Sequence, residues 1–235
     1  TLRFLLGNLN NFNKQNLVDP EEMPELERYL LTRISSLNEK LKELVSKHDY
    51  HAIYTALLNF CTLELSAFYF DIRKDSLYCD DIKSIKRRST STCLHIIFEF
   101  LTKWLSPIVS FTCEEAWKSR SYSNEESILL QNVKDDEFTY KDISLEKVFE
   151  ELKRVRKSVT SALELKRNEK LIGSSLQAKV ILFLSKDTQK IIADLDLAEM
   201  CIVSNVETHD ISNRSKESIS IEDEEIYVEI KLADG

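Results

Sequence analysis

The residues that could do chemistry are few and scattered. His48 and His51, three positions apart, can share a helix face, but no cysteine or carboxylate pattern beside them completes a metal set, and they read as a polar helix junction. Glu114 and Glu115 are expected early in a short helix, where unsatisfied backbone N–H groups favour negative charge, and that placement accounts for them without acid–base work. Cys79 is a thiol that His95 could activate only if the fold joined them, and nothing in the spacing does so. The chain has no G-x-x-x-x-G-K-[ST], no G-x-G-x-x-G and no nucleophile elbow. Nucleotide hydrolysis, dinucleotide chemistry and hydrolase chemistry therefore have no local support.

Positive charge is the more informative signal. Lys83, Lys86, Arg87 and Arg88 open an expected helix, so cationic side chains join a backbone terminus that itself favours anions, a combination suited to phosphate. The bland alternative is a solvated helix face. A second basic stretch, residues 153–170, carries Lys153, Arg154, Arg156, Lys157, Lys166, Arg167 and Lys170 against Glu164 and Glu169. The net charge of −8 hides both stretches: residues 186–235 hold 5 Lys+Arg and 13 Asp+Glu, and everything before them balances. Trp104 and Trp117 could stack on bases, but their apolar neighbours at helical spacing make core packing the simpler reading.

The elements that must position these groups are mostly helices. Only three glycines and three prolines occur in 235 residues, and Leu, Glu, Lys and Ile dominate. Leu2–Leu9 reads as the end of a helix whose first turns lie upstream. Apolar residues at three-four spacing then predict helices through Leu26, Leu30, Ile34, Leu37, Leu41 and Leu44, and through Ile53, Leu57, Phe60, Leu63, Ala67 and Phe70, the latter ending near Ile72 before a polar break at 74–81. A basic-fronted helix with Cys93, Ile97, Phe100 and Trp104 stops at Pro107; a short one ends near Trp117; and a polar loop runs to about Asp142. Ser144 is placed to cap a long helix carrying Leu145, Val148, Leu152, Val155, Val159 and Leu163 and stopping near Gly173. Strands are expected at Ala178–Leu184, Met200–Val203, Ser218–Ile221 and Ile226–Leu232, with a short helix at Thr188–Leu195.

The fold class is thus mainly α: an antiparallel helix bundle followed by a small α+β subdomain. Its expected divisions are 1–120 for the bundle, 121–143 for a connecting loop, 144–175 for a long helix that completes the bundle and leads out of it, and 176–235 for the α+β part. The five cysteines are odd in number, widely spaced and without C-x-x-C, which supports neither a disulfide framework nor a zinc knuckle and suits a cytoplasmic setting. No unbroken apolar run approaches the roughly 20 residues of a membrane span, so no membrane partner is expected.

Several stretches resemble one family. Arg3-Phe4-Leu5-Leu6-Gly7-Asn8-Leu9, then Phe68-Tyr69-Phe70-Asp71-Ile72-Arg73-Lys74-Asp75-Ser76-Leu77-Tyr78, then Arg87-Arg88-Ser89 are similar, in that order, to the C-terminal anticodon-binding region of bacterial-type isoleucyl-tRNA synthetases. Leu105 to Trp117 looks like the family's L-x-P-I-L-x-F-T-x-E-E-x-W segment. Asn168 to Ala178 resembles the isoleucyl pattern rather than those of the related valyl and leucyl enzymes.

The resemblance implies a bundle that grips the anticodon stem-loop of isoleucine tRNA, in a cytoplasmic, monomeric ligase. It implies no catalytic residue, metal or cofactor in this chain. Catalytic and editing domains of the same parent chain, with ATP and magnesium in the former, are expected upstream, since neither H-I-G-H nor K-M-S-K-S occurs here. A zinc module is expected beyond Gly235. Phosphate contacts are assigned to Arg73, Lys74, Arg87 and Arg88, with Lys153, Arg154, Arg156 and Lys157 as a second group. Arg3 could equally orient the domain against the rest of the parent chain. Two departures stand out: Ser76 where the family commonly has Arg, and Ser91 where it has Gln. A helical protein-interaction module using the acidic stretch from Glu222 to Glu225, or the equivalent module of a valyl or leucyl enzyme, are the competing readings.

Overall fold

The computed structural model describes residues 1–10, 12–121, 126–131, 139–221, 223 and 225–233, which fall into two compact units, Thr1–Asp142 and Ile143–Gly235. The first holds α1 (Leu2–Asn8), α2 (Glu25–Ser46), α3 (Tyr50–Asn59), a π-helical segment (Phe60–Tyr69), α4 (Phe70–Cys79), α5 (Ile85–Leu105) and α6 (Ser110–Lys118). Helix α5 is its axis: Cys93, Leu94, Ile97, Phe98 and Leu101 are wholly buried, and α1, α2, α4 and α6 all pack on it. Three-four spacing gives α5 an apolar stripe, and burying that stripe is the main driving force for assembling the unit.

Helix α3, the π segment and α4 run on without a break from Tyr50 to Cys79, through the polar stretch expected to interrupt them. Over these 30 residues the chain is long and apolar enough to cross a membrane by length and composition, contrary to the expectation of no such span. Scattered polar residues such as Asn59, Thr62, Glu64 and Ser66 break up any pure apolar run while leaving the average high. The helix carries Ile53, Leu57, Phe60, Leu65, Phe68, Tyr69 and Ile72 into the core of the unit, so a bundle's own core helix meets the same measure. Winding by i→i+5 bonds also moves the buried face: Leu65 is inside while Leu63, expected there from a 3.6-residue period, is 64% exposed.

The second unit contains α7 (Ile143–Asn168), β1 (Ala178–Leu184), α8 (Lys186–Ile191), α9 (Leu197–Cys201), β2 (Asn205–Asp210) and β3 (Tyr227–Leu232). Strand β1 is central, parallel to β2 and antiparallel to β3, with Val180 opposite Ile230 and Leu182 opposite Val228. Val155, Val159, Ala162 and Leu163 of α7 share one core with Val180, Leu182, Leu184, Val228 and Ile230. A mainly α chain with a small α+β part is what the sequence predicts.

Several other boundaries differ, among them the short helix expected at Thr188–Leu195, which runs from Lys186 to Ile191. Met200–Val203 is not a strand, because Asp196 accepts from the Glu199 N–H at 3.0 Å and caps α9, which ends at Ile202 in a left-handed conformation. Only an isolated bridge, Ile219 to Val228, marks the strand expected at Ser218–Ile221. Ser144 lies inside α7 instead of capping it, and α7 ends at Asn168, short of Gly173.

Candidate nucleic-acid interface

Helix α5 begins after a defined cap: the Ser84 hydroxyl accepts from the Arg87 N–H at 3.2 Å. Its first turn then runs against electrostatic preference. A helix N-terminus favours acidic side chains, yet none is present there, and Lys86, Arg87 and Arg88 follow instead. Positive charge stacked on a positive helix end stabilises nothing within the helix, but it is well suited to an anion supplied from outside.

These arginines border a cleft of about 250 Å³ lined by Gly7, Asn8, Asn10, Phe12, Asn13, Asn16, Leu77, Tyr78, Ile82, Arg87, Arg88 and Ser91. The loop carrying the asparagines is fastened to α5 at three points. Val18 N–H donates to Thr92 Oγ1 at 3.2 Å, Arg88 donates to the Asn16 carbonyl at 3.5 Å, and Phe12 stacks on His95 with centroids 4.7 Å apart. On the other wall, the α4–α5 turn is held by Arg87 donating to the Asp80 carbonyl at 2.6 Å and by Ser76 donating to Asp80 Oδ2 at 2.5 Å. Ser76 is buried and acts on this turn from inside, whereas Ser91 lines the cleft itself.

Of the predicted phosphate ligands, Arg87 and Arg88 are therefore brought together at one opening. Lys74 is exposed on α4, paired to Asp71 at 2.9 Å. Arg73 needs correction. Its side chain is 1% exposed and forms a two-pronged pair with Glu27, Nε to Oε1 at 2.7 Å and Nη2 to Oε2 at 2.8 Å. Tyr69 donates to the same carboxylate at 3.1 Å and Thr90 at 3.3 Å. Burial and the Glu27 charge push the Tyr69 phenol well above its ordinary value, so it stays a donor. Arg73 is an internal strut between α2 and α4, and a phosphate has no access to it.

The second basic group lies in the other unit and is largely engaged. Arg154 is held by Asp223 at 2.6 Å, Glu225 at 3.1 Å and Glu151 at 3.0 Å, contacts that raise its pKa further, with Asp223 foremost. Lys153, Arg156 and Lys157 also have interaction partners. Replacing Arg154 by Gln is expected to change RNA affinity by less than about threefold, as for a surface charge already neutralised by neighbours. A nitrocellulose-filter titration checks this, and a larger loss would return Arg154 to the interface.

The residues considered for other chemistry are placed as well. Glu114 is not at the start of α6; it accepts from Ser127 Oγ at 2.8 Å and from the Ile128 N–H at 3.1 Å and pairs with Lys118, anchoring the 127–130 segment. Trp117 is buried, and Trp104 is half-buried with its indole N–H on Asn38 at 2.9 Å. Cys79 is exposed at the end of α4, whereas His95 is buried against Phe12.

Burial, then Lys14, Arg120 and Lys103, lower the His95 pKa from 6.5 to about 4, outweighing Glu99 at 3.6 Å, which pulls the other way. A depressed folded-state pKa gives stability that is present above the unfolded value and lost as pH falls from about 6.5 through 4, here of order 3 kcal/mol. His95→Gln is expected to flatten the fall in urea midpoint across that window, and an unchanged pH profile would show that His95 is not the group responsible.

Sequence reasoning missed Tyr78, Ile82 and the asparagine wall. Tyr78 and Ile82 are 65% and 62% exposed at the cleft. The visible signal was the run of asparagines from Asn8 to Asn16 beside a basic helix start.

The sequence profile of the anticodon-binding domain of tRNA ligases matches residues 27–182. The chain is 44% identical over 212 residues to the isoleucine–tRNA ligase of Pelagibacter ubique, covering 89% of this chain and 23% of that protein. It is 40% identical to the Gluconobacter oxydans isoleucine–tRNA ligase over 208 residues, 88% of this chain and 22% of the relative. For the Agrobacterium fabrum isoleucine–tRNA ligase the figures are 38% over 236 residues, 100% of this chain and 24% of the relative. The chain thus spans less than a quarter of the length of these relatives. With two-thirds of its residues inside the matched profile, it belongs to the anticodon-binding domain family of tRNA ligases.

Proposed function

We propose that this chain grips the anticodon stem-loop of isoleucine tRNA at the α5 cleft, as the RNA-binding part of a cytoplasmic isoleucine–tRNA ligase. The observation that carries the reading is the start of α5, whose first turn contains no acidic residue and carries Lys86, Arg87 and Arg88, the two arginines lining a cleft walled by amides and an exposed tyrosine. Phosphates of the stem-loop meet the arginines and the helix terminus; unstacked bases meet the amides and Tyr78. The isoleucine identity rests on the relatives' names. Ligation of isoleucine with ATP and magnesium belongs, in this reading, to other domains of the parent protein, which acts as a monomer.

Anisotropy titrations of labelled anticodon stem-loops from isoleucine, valine and leucine tRNA test it. Binding that weakens steeply with salt and is tightest for the isoleucine loop is expected, because phosphate contact releases counterions. Equal binding of all three loops would remove the isoleucine assignment, and no binding at low salt would remove the RNA role of the cleft. The protein-interaction alternative draws less support because Asp223 and Glu225 are occupied by Arg154; Glu222 and Glu224, the rest of that stretch, lie outside the described residues and bear on neither reading.

A further inference from the structure

Gly7 sits in the last turn of α1, on the wall of the α5 cleft. Glycine in a helix is destabilising relative to alanine, because it has more backbone freedom to lose on folding. Two ordinary reasons for accepting that cost are absent here. Gly7 has no positive φ, so it is not a left-handed helix cap; the cap residue is Leu9, with φ −96. Nor, among the described residues, does anything beyond its own helix turn press against it: a Cβ built at Gly7 would meet nothing within 4 Å. The bare backbone is thus open at a residue that lines the cleft.

The rest of the cleft shows what could use that space. Tyr78 and Ile82 offer exposed apolar surface, Asn10 and Asn16 offer amides, and Arg87 and Arg88 offer charge at the rim. The Asn8 side chain is tied back to the Phe4 carbonyl at 2.9 Å, which keeps it along α1 instead of across the opening at Gly7. A flat, polar-edged group with a phosphate attached matches this set: apolar surface for its face, amides for its edge, arginines for its phosphate.

We propose that Gly7 is a specificity-determining position where one unstacked base of the RNA loop lies directly against the α1 backbone, in a seat that any side chain at position 7 would fill. This rests on the stem-loop reading above, and it assigns the cleft a base seat in addition to phosphate contacts.

The test separates stability from binding, using the whole chain and an anticodon stem-loop of isoleucine tRNA. Gly7→Ala is expected to leave the melting temperature unchanged or raise it by about 1–2 °C. The same change is expected to weaken RNA binding about tenfold, and Gly7→Leu more, as a base is lifted from its stacking surface. An abasic residue walked through the loop should cost the wild-type chain affinity at one position and cost Gly7→Leu nothing there. Full-strength binding by both variants overturns the proposal while leaving the stem-loop reading intact. A lowered melting temperature for Gly7→Ala overturns it too, since the glycine would then serve the fold. So does a wild-type chain that is indifferent to every abasic position. Failure of the wild-type chain to bind any stem-loop overturns both readings together.

Discussion

Replacing Arg87 and Arg88 together by Gln is expected to weaken binding of the isoleucine anticodon stem-loop roughly 10²-fold near physiological salt, from two lost charge-assisted contacts of about 1.5 kcal/mol each. The signature lies in the salt dependence more than in the loss. Each phosphate contact removed should reduce the slope of log affinity against log salt by about 0.7–0.9, so the double variant should be shallower by about 1.5. Arg87→Lys with Arg88→Lys should retain most of the slope, because the charge survives even though the planar fork does not. Since Arg87 also donates to the Asp80 carbonyl, the melting temperature must be measured alongside. A binding loss accompanied by an unchanged salt slope would mean that the arginines shape the α4–α5 turn without touching phosphate.

Arg73→Met is expected to have the largest effect on stability, about 3–5 kcal/mol, because it strands the Glu27 carboxylate in a site where the residue is wholly buried. For a chain of this size that is a fall in melting temperature of roughly 10 °C or more. Removing both charges, in Glu27→Leu with Arg73→Met, should recover a good part of the loss, since a buried ion pair contributes less than the cost of leaving half of it behind. The recovery is incomplete because Tyr69 and Thr90 also donate to Glu27. Trp104 and Trp117 lie in the same unit, so tryptophan fluorescence in urea reports it directly. If Arg73→Met stays within about 1 kcal/mol of the parent chain, the strut assignment is wrong and Arg73 returns to the surface set.

Much of this fold is visible in local pattern. In α5 the helical period places Cys93 and Ile97 wholly inside while Phe100 and Trp104 are half-buried, and in β3 the alternation places Val228 and Ile230 inside, although Glu229 is buried too and Leu232 is exposed. Pattern fails where winding or capping competes with it. The π segment shifts the inward face from Leu63 to Leu65, which a fixed period cannot anticipate, and the Asp196 cap turns the apolar run at Met200 into a helix end. The site divides in the same way. Arg87 and Arg88 are legible because charge at a helix start is a local feature. Arg73, equally basic and within a family motif, is not, since its burial depends on Glu27, 46 positions earlier in the chain. The cleft is non-local as well: Gly7, Tyr78 and Arg88 meet only because α1, α4 and α5 pack together.

The most direct test of the central claim is a titration of the isotopically labelled chain with the isoleucine anticodon stem-loop, followed through backbone amide resonances. The largest shifts are expected on Ile85 to Arg88, on Asn10, Asn13 and Asn16, and on Tyr78. Binding that shifts only resonances of α7 and the sheet, leaving the α5 cleft unchanged, would contradict that claim.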